Sequence, residues 1–239
     1  QNNRETQYNL GIIYYEGKYI ERDINRAIHY FTLAADQNFI EAQYKLGVIY
    51  YEGKYVARDI NRAIHYYSLA SNQNDMISQF NLGNIYYEGK YILRDIHKAT
   101  HYFTLAANQN CYHAQFMLGV IYQNVKHDID KAIHYYLLAA NQNDSLAQFN
   151  LGTTYYFKQY NRYDINKAIH YFTLAANNNL PQAQFNLGLI YYEGKRIKKN
   201  INKSIYYYLR AANNNYPRAQ FILGIFYYKS QNYHEKMKG

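Results

Sequence analysis

The chain has 239 residues, a net charge of +9, two prolines and one cysteine, Cys111, so no intrachain disulfide framework exists. Nearly half of it is apolar and 33 residues are tyrosine, a composition that argues against disorder. No run reaches the ~18 apolar residues that cross a bilayer.

Leu-Gly recurs at 10–11, 46–47, 82–83, 118–119, 151–152, 187–188 and 223–224, a period of 36 residues contracted once to 33. Fixed periods of this length mark arrays in which each unit buries its apolar side only against a neighbour. Residues 1–239 therefore read as one array, with units near 5–40, 41–76, 77–112, 113–145, 146–181 and 182–217 and a partial seventh at 218–239.

In the first unit the apolar spacing predicts a helix A over 5–16, with Thr6, Gln7, Leu10, Gly11 and Tyr14 on one face. Gly17 is placed to end it in a left-handed conformation, as Gly53, Gly89 and Gly194 are later. Asp23 stands at the N-cap of a helix B, in register with Asp59, Asp95, Asp128 and Asp164. Ile24, Ala27, Ile28, Phe31, Ala34 and Ala35 form the apolar face of that helix, with Tyr30 at its edge and His29 opposite. Asn38, repeated as Asn74, Asn110, Asn143, Asn179 and Asn215, takes the left-handed position at its end. The small residues Gly11, Ala27 and Ala34 recur in step, which fits two closely packed antiparallel helices. Gln7, Gln43, Gln79, Gln115, Gln148, Gln184 and Gln220 lie in the middle of the buried stripe of each helix A. A buried amide needs partners, so a hydrogen bond between repeats is expected there.

The pattern A-x-x-x-L-G-x-x-Y-x-x-G, then D-x-x-K/R-A, then A-A near the end of helix B is clearest in Ala42 to Ala70 and Ala183 to Ala212. It resembles the Sel1-like repeats, relatives of the tetratricopeptide repeats, over six units and a seventh helix A. The resemblance implies an all-α fold, a right-handed α-solenoid of stacked antiparallel helix pairs. It also implies a non-catalytic scaffold that binds a protein or peptide partner. The chain departs from the pattern at the second loop glycine, replaced by Tyr19, Tyr55, Tyr91, Tyr160 and Arg196, and at the end of helix B, where asparagine replaces glycine.

If helix A lines a concave side as in tetratricopeptide arrays, Tyr8, Tyr44, Phe80, Phe116, Phe149, Phe185 and Phe221 form one ladder of rings. Tyr15, Tyr51, Tyr87, Tyr156, Tyr192 and Tyr228 form a second, with Gln123 in the tyrosine's place in the fourth unit. Rings with a polar handle suit a peptide or helix. The alternative is that the rings pack between A helices and close the groove. Glu16, Glu52, Glu88 and Glu193 make an acidic edge beside the second ladder.

The fourth unit loses three residues between Tyr122 and Asp128, which marks a change of curvature, a specificity-determining segment or neutral drift. Residues 187–239 hold 10 basic and 2 acidic side chains, and Lys195, Arg196, Lys198, Lys199 and Lys203 form a basic patch. A polyanion partner, an acidic protein, an anionic membrane or, disfavoured, nucleic acid, is therefore the second reading, and an enzyme or the accessory repeat region of a larger enzyme the third. No nucleotide, metal or nucleophile motif is present; His97 and His101 share a helix face without a third ligand, so no cofactor is expected. The apolar seventh helix A is expected to be covered by residues 231–239, by a partner or by continuation of the chain. Compartment and oligomeric state are left open by the sequence.

Overall fold

The computed structural model describes residues 3–157 and 162–236, with side chains up to Tyr228 in the last helix. Among the described residues there are thirteen helices and no strand. The chain divides into two compact units, Gln1–Ala114 and Gln115–Gly239. The first holds α1 (Arg4–Glu16), α2 (Ile24–Ala35), α3 (Ile40–Glu52), α4 (Ile60–Asn72), α5 (Met76–Glu88) and α6 (Ile96–Asn108). The second holds most of α7 (Tyr112–Asn124), then α8 (Ile129–Asn141), α9 (Ser145–Tyr156), α10 (Ile165–Asn177), α11 (Pro181–Glu193), α12 (Ile201–Asn213) and α13 (Pro217–Lys236). Odd-numbered helices are the A helices and even-numbered ones the B helices.

The predicted punctuation is in place. Asp23 Oδ1 accepts from the backbone N–H of Arg26 at 2.9 Å, and Asp59, Asp95, Asp128 and Asp164 cap their helices in the same way. Gly17 closes α1 at φ 65°, and its N–H donates to the carbonyl of Ile13. The six asparagines after the B helices stand at φ 56–68°, the left-handed region that asparagine tolerates better than other side chains. The shortened fourth repeat turns through His127 at φ 54° and still delivers Asp128 to the N-terminus of α8.

The recurring glycine makes room for a flat ring more than for a facing backbone. A Cβ on Gly47 would lie 2.6 Å from the Tyr67 ring, and one on Gly83 2.5 Å from Phe103. In the second unit Gly152 and Gly188 meet Phe172 and Tyr208 equally closely. These B-helix rings are the largest fully buried side chains and centre the core of each repeat.

The buried glutamines bridge repeats as expected. Gln43 Nε2 donates to the carbonyl of Ala35 in the preceding repeat, while its Oε1 accepts from Gln73 Nε2 at 2.8 Å. Gln184 in the second unit does the same with Ala176 and Asn214. Each amide thus gives a helix-end carbonyl, already bonded to the N–H of Asn38 or Asn179, a further donor and ties two repeats together.

Two serines occupy alanine positions with opposite outcomes. Ser204 Oγ donates to the carbonyl of Gly188 at 2.8 Å, whereas the buried Ser78 Oγ has no partner among the described residues. We expect Ser78→Ala to raise stability by about 1 kcal/mol and Ser204→Ala to lower it by a similar amount, read from urea unfolding midpoints.

The tyrosine content has a second structural use that the sequence reading missed. Tyr14 stacks on Tyr30 at 5.7 Å, and Tyr50–Tyr66, Tyr86–Tyr102, Tyr122–Tyr135, Tyr155–Tyr171 and Tyr191–Tyr207 repeat the pair. A cation lies over the A-helix ring of each pair, for example Arg62 over Tyr50 at 5.2 Å. The histidines of the B helices, such as His65, are exposed and lie edge-on to the second ring.

Candidate functional site

The A helices carry the rings of both predicted ladders, and the structure leaves most of them half-buried. In the first unit Tyr8, Tyr44 and Phe80 lie 5.6, 6.1 and 5.8 Å from the buried rings Phe31, Tyr67 and Phe103. In the second, Phe116, Phe149 and Phe185 lean on Tyr136, Phe172 and Tyr208 at 5.9, 5.7 and 5.4 Å. One side of each ring is therefore spent on the core, and Phe39, His113 and Tyr216 lie against Tyr8, Phe80 and Phe185 at 5.2, 5.7 and 5.3 Å. Phe221 in α13 is 70% exposed, and a Cβ on its neighbour Gly224 would meet nothing within 4 Å.

The second ladder is buried to a similar degree and is more polar. Tyr15, Tyr51, Tyr87 and Tyr156 are half-buried and Tyr192 is exposed. Tyr55 meets Tyr15 edge-on at 5.7 Å, and Tyr91 meets Tyr51 at 6.5 Å, each covering ring coming from the A–B loop of the next repeat. Arg58 holds this arrangement. Its Nε and Nη2 donate to the carbonyls of Tyr51 and Glu52, and its Nη1 donates to the Tyr91 hydroxyl at 2.6 Å. Tyr55 and Tyr91 thus have a definite task at the position where the family pattern has glycine. Tyr160, which shares that position, lies outside the described residues.

A hollow of about 110 Å³ in the first unit brings Tyr51 and Tyr67 together with Glu88, Asn81 and Asn84. The two asparagines were not singled out from sequence. Their signal was spacing: three apart on α5, they share a face beside Phe80 and Tyr87. Burial, then the Glu88 carboxylate, pushes the Tyr51 hydroxyl above its ordinary value. Burial and then Glu52 do the same to Tyr15, and burial and then Glu193 to Tyr156. These hydroxyls stay hydrogen-bond donors throughout the neutral range.

Gln123 serves the core as well as the surface, since it accepts from the Tyr136 hydroxyl at 2.8 Å. Most of the predicted basic patch is engaged inside the second unit. Lys195 pairs with Glu193 at 3.2 Å, Arg196 lies 3.9 Å from the Tyr163 ring centroid, and Lys199 and Lys203 stand over Tyr192 and Tyr191. Lys198 is exposed.

Burial pushes the Tyr208 hydroxyl up to about 12 from an ordinary 10.0, and pushes Tyr67 higher still. A tyrosine whose folded value is raised favours the native state fully below pH 10 and loses that advantage as pH climbs toward 12. We expect the melting temperature to fall across that interval, and Tyr208→Phe to flatten the fall.

Among the described residues no three His, Cys, Asp or Glu side chains converge on a metal position, and no helix is long and apolar enough to cross a membrane. Within each unit the A helices offer rings, amides and fixed charges.

Known proteins place this geometry. The Sel1 repeat model matches residues 4–39, 40–75, 77–111, 113–144, 145–180 and 181–216. A Sel1 repeat protein from Oxalobacter formigenes is 28% identical with a TM-score of 0.84, over 96% of this chain and 67% of that one. The structure of c5321, described as a protective antigen of uropathogenic Escherichia coli strains with an SLR fold, gives 27% identity and a TM-score of 0.80 over 94% of this chain. The match spans 49% of the length of c5321. No curated protein matches the sequence. With six matched repeats covering most of its length and two solenoid neighbours of the same kind, the chain belongs to the Sel1 repeat family.

Proposed function

We propose that the ring-bearing face of the A helices holds a peptide or protein partner. Sel1 repeat proteins are generally protein-interaction scaffolds and typically non-catalytic, which supports the reading. The observation that carries it is the hollow where Tyr51 and Tyr67 meet Asn81, Asn84 and Glu88. An asparagine amide offers two donors and an acceptor, enough to bond a partner's backbone while the neighbouring rings take its apolar side chains.

The test is position-specific crosslinking with a peptide selected on the purified protein from a random library. p-Benzoylphenylalanine replaces Tyr51 or Tyr87 on this face, and His65 or His101 on the B helices. Crosslinks from Tyr51 and Tyr87 at least tenfold above those from the histidine positions support the proposal. Equal yields, or yields dominated by His65 and His101, overturn it.

A further inference from the structure

Within the first unit two successive repeat junctions place the same parts in the same register, and one part changes its chemistry. Between the first and second repeats these are Tyr15, Phe31, Lys45, Val48 and Glu52; 36 residues on, between the second and third, they are Tyr51, Tyr67, Asn81, Asn84 and Glu88. In the earlier set Lys45 is half-buried and its Nζ stands over the Tyr15 ring at 4.2 Å, so the chain itself supplies the cation that a tyrosine face attracts. In the later set asparagine replaces that lysine. Asn81 instead meets the Tyr67 hydroxyl in a hydrogen bond, and a hollow of about 110 Å³ opens beside Tyr51 and Glu88. The ring and the carboxylate are kept and the cation is not.

The other cations near the hollow are engaged elsewhere. Arg58 is bonded to the carbonyls of Tyr51 and Glu52 and to the Tyr91 hydroxyl, Lys90 stands over the Tyr91 ring at 5.0 Å, and Arg94 over the Tyr87 ring at 4.9 Å. Glu88 is exposed, ends α5 and has no ion pair among the described residues, whereas Glu193, its counterpart in the sixth repeat, is paired with Lys195. A carboxylate at a helix C-terminus adds to the negative end of the helix dipole, and a cation there is favoured by both. Residues 1–114 hold 11 basic and 11 acidic side chains, so the whole of the +9 lies in the second unit and none of it stands against a cation here.

We propose that the hollow takes a lysine side chain of a peptide partner, in the place that Lys45 holds at the preceding junction. The ammonium sits against the Tyr51 ring and the Glu88 carboxylate and donates to Asn84 Oδ1, while its methylene stem packs along the rings. The hollow is several times the ~10–15 Å³ that admits one water molecule, so an ammonium group of similar size enters it. The inference rests on the reading of this face as a peptide-binding surface and adds which side chain the hollow selects.

Selection of a random linear dodecapeptide library on the purified protein tests it. Lysine is expected to be enriched at one register position of the selected peptides. Norleucine in its place keeps most of the stem and removes the charge, and should weaken binding about tenfold in fluorescence polarisation. The double variant Tyr67→Phe, Asn81→Lys copies the preceding junction, supplies the chain's own cation and should lose the discrimination between the lysine and norleucine peptides. Glu88→Gln should cut that discrimination about threefold, the effect of one exposed ion pair. Selected peptides without lysine enrichment, equal binding of the two peptides by the parent, or unchanged discrimination in either folded variant overturns the proposal. If the selected peptides crosslink from Tyr51 and Tyr87 but show no preference for lysine, the lysine assignment alone is refuted; if they crosslink equally from His65 and His101, the reading beneath it fails as well.

Discussion

Gly47→Leu is expected to destabilise the protein by about 1–3 kcal/mol, seen as a lower urea midpoint. A single Cβ at this position already comes within 2.6 Å of the fully buried Tyr67 ring, and the remaining carbons of leucine have no space to enter. Tyr44 packs against the Tyr67 ring at 6.1 Å within the buried cluster, so a displaced ring disturbs the core. The control is the last glycine of the same series. Gly224→Ala places its methyl in open space inside a helix, and should be neutral or stabilising by up to about 1 kcal/mol through helix propensity alone. If both substitutions behaved alike, the glycine would be serving the helix and not the ring.

Gln43→Leu should cost as much by a different route. The leucine fits the volume but removes two hydrogen bonds at the junction of the repeats, although the carbonyl of Ala35 keeps the N–H of Asn38 and the exposed Gln73 can turn to water. Each lost bond costs about 0.5–1.5 kcal/mol net, and Gln43 is 1% exposed. Gln220→Leu removes the equivalent bond to Ala212 from an exposed side chain, where water substitutes, and should stay within about 0.5 kcal/mol. Calorimetric melting of the two variants side by side reads the difference.

The repeat logic was legible because its signals are local. Asp23 and Asn38 reveal their roles through the chemistry of helix ends, and the buried glutamines through the requirement that an amide in a core be bonded. What escaped was contact chemistry between residues distant in sequence. Nothing at Gly11 announces that its missing Cβ is filled by Phe31, twenty positions on. Tyr14 and Tyr30 read as a stripe residue and an edge residue until the helices bring them face to face. The tyrosines in the loop glycine position read as departures from the family pattern, yet Tyr55 and Tyr91 are the rings that close over the preceding A helix. The ladder rings were assigned to the A helices with their packing left open, since hydrophobic periodicity says which face a ring is on and not how far it sinks.

The core rings carry stability, and we propose that the open part of the A-helix face carries recognition. The affinity of the selected peptide for Asn84→Ala separates the two, because Asn84 lines the hollow beside Tyr51 outside the glycine–ring and glutamine contacts. We expect at least tenfold weaker binding with a melting temperature within about 2 °C of the parent, since truncating a polar group at a surface position changes stability by no more than about 0.5 kcal/mol. Undiminished affinity in a folded Asn84→Ala protein would contradict the assignment of this face as the binding surface.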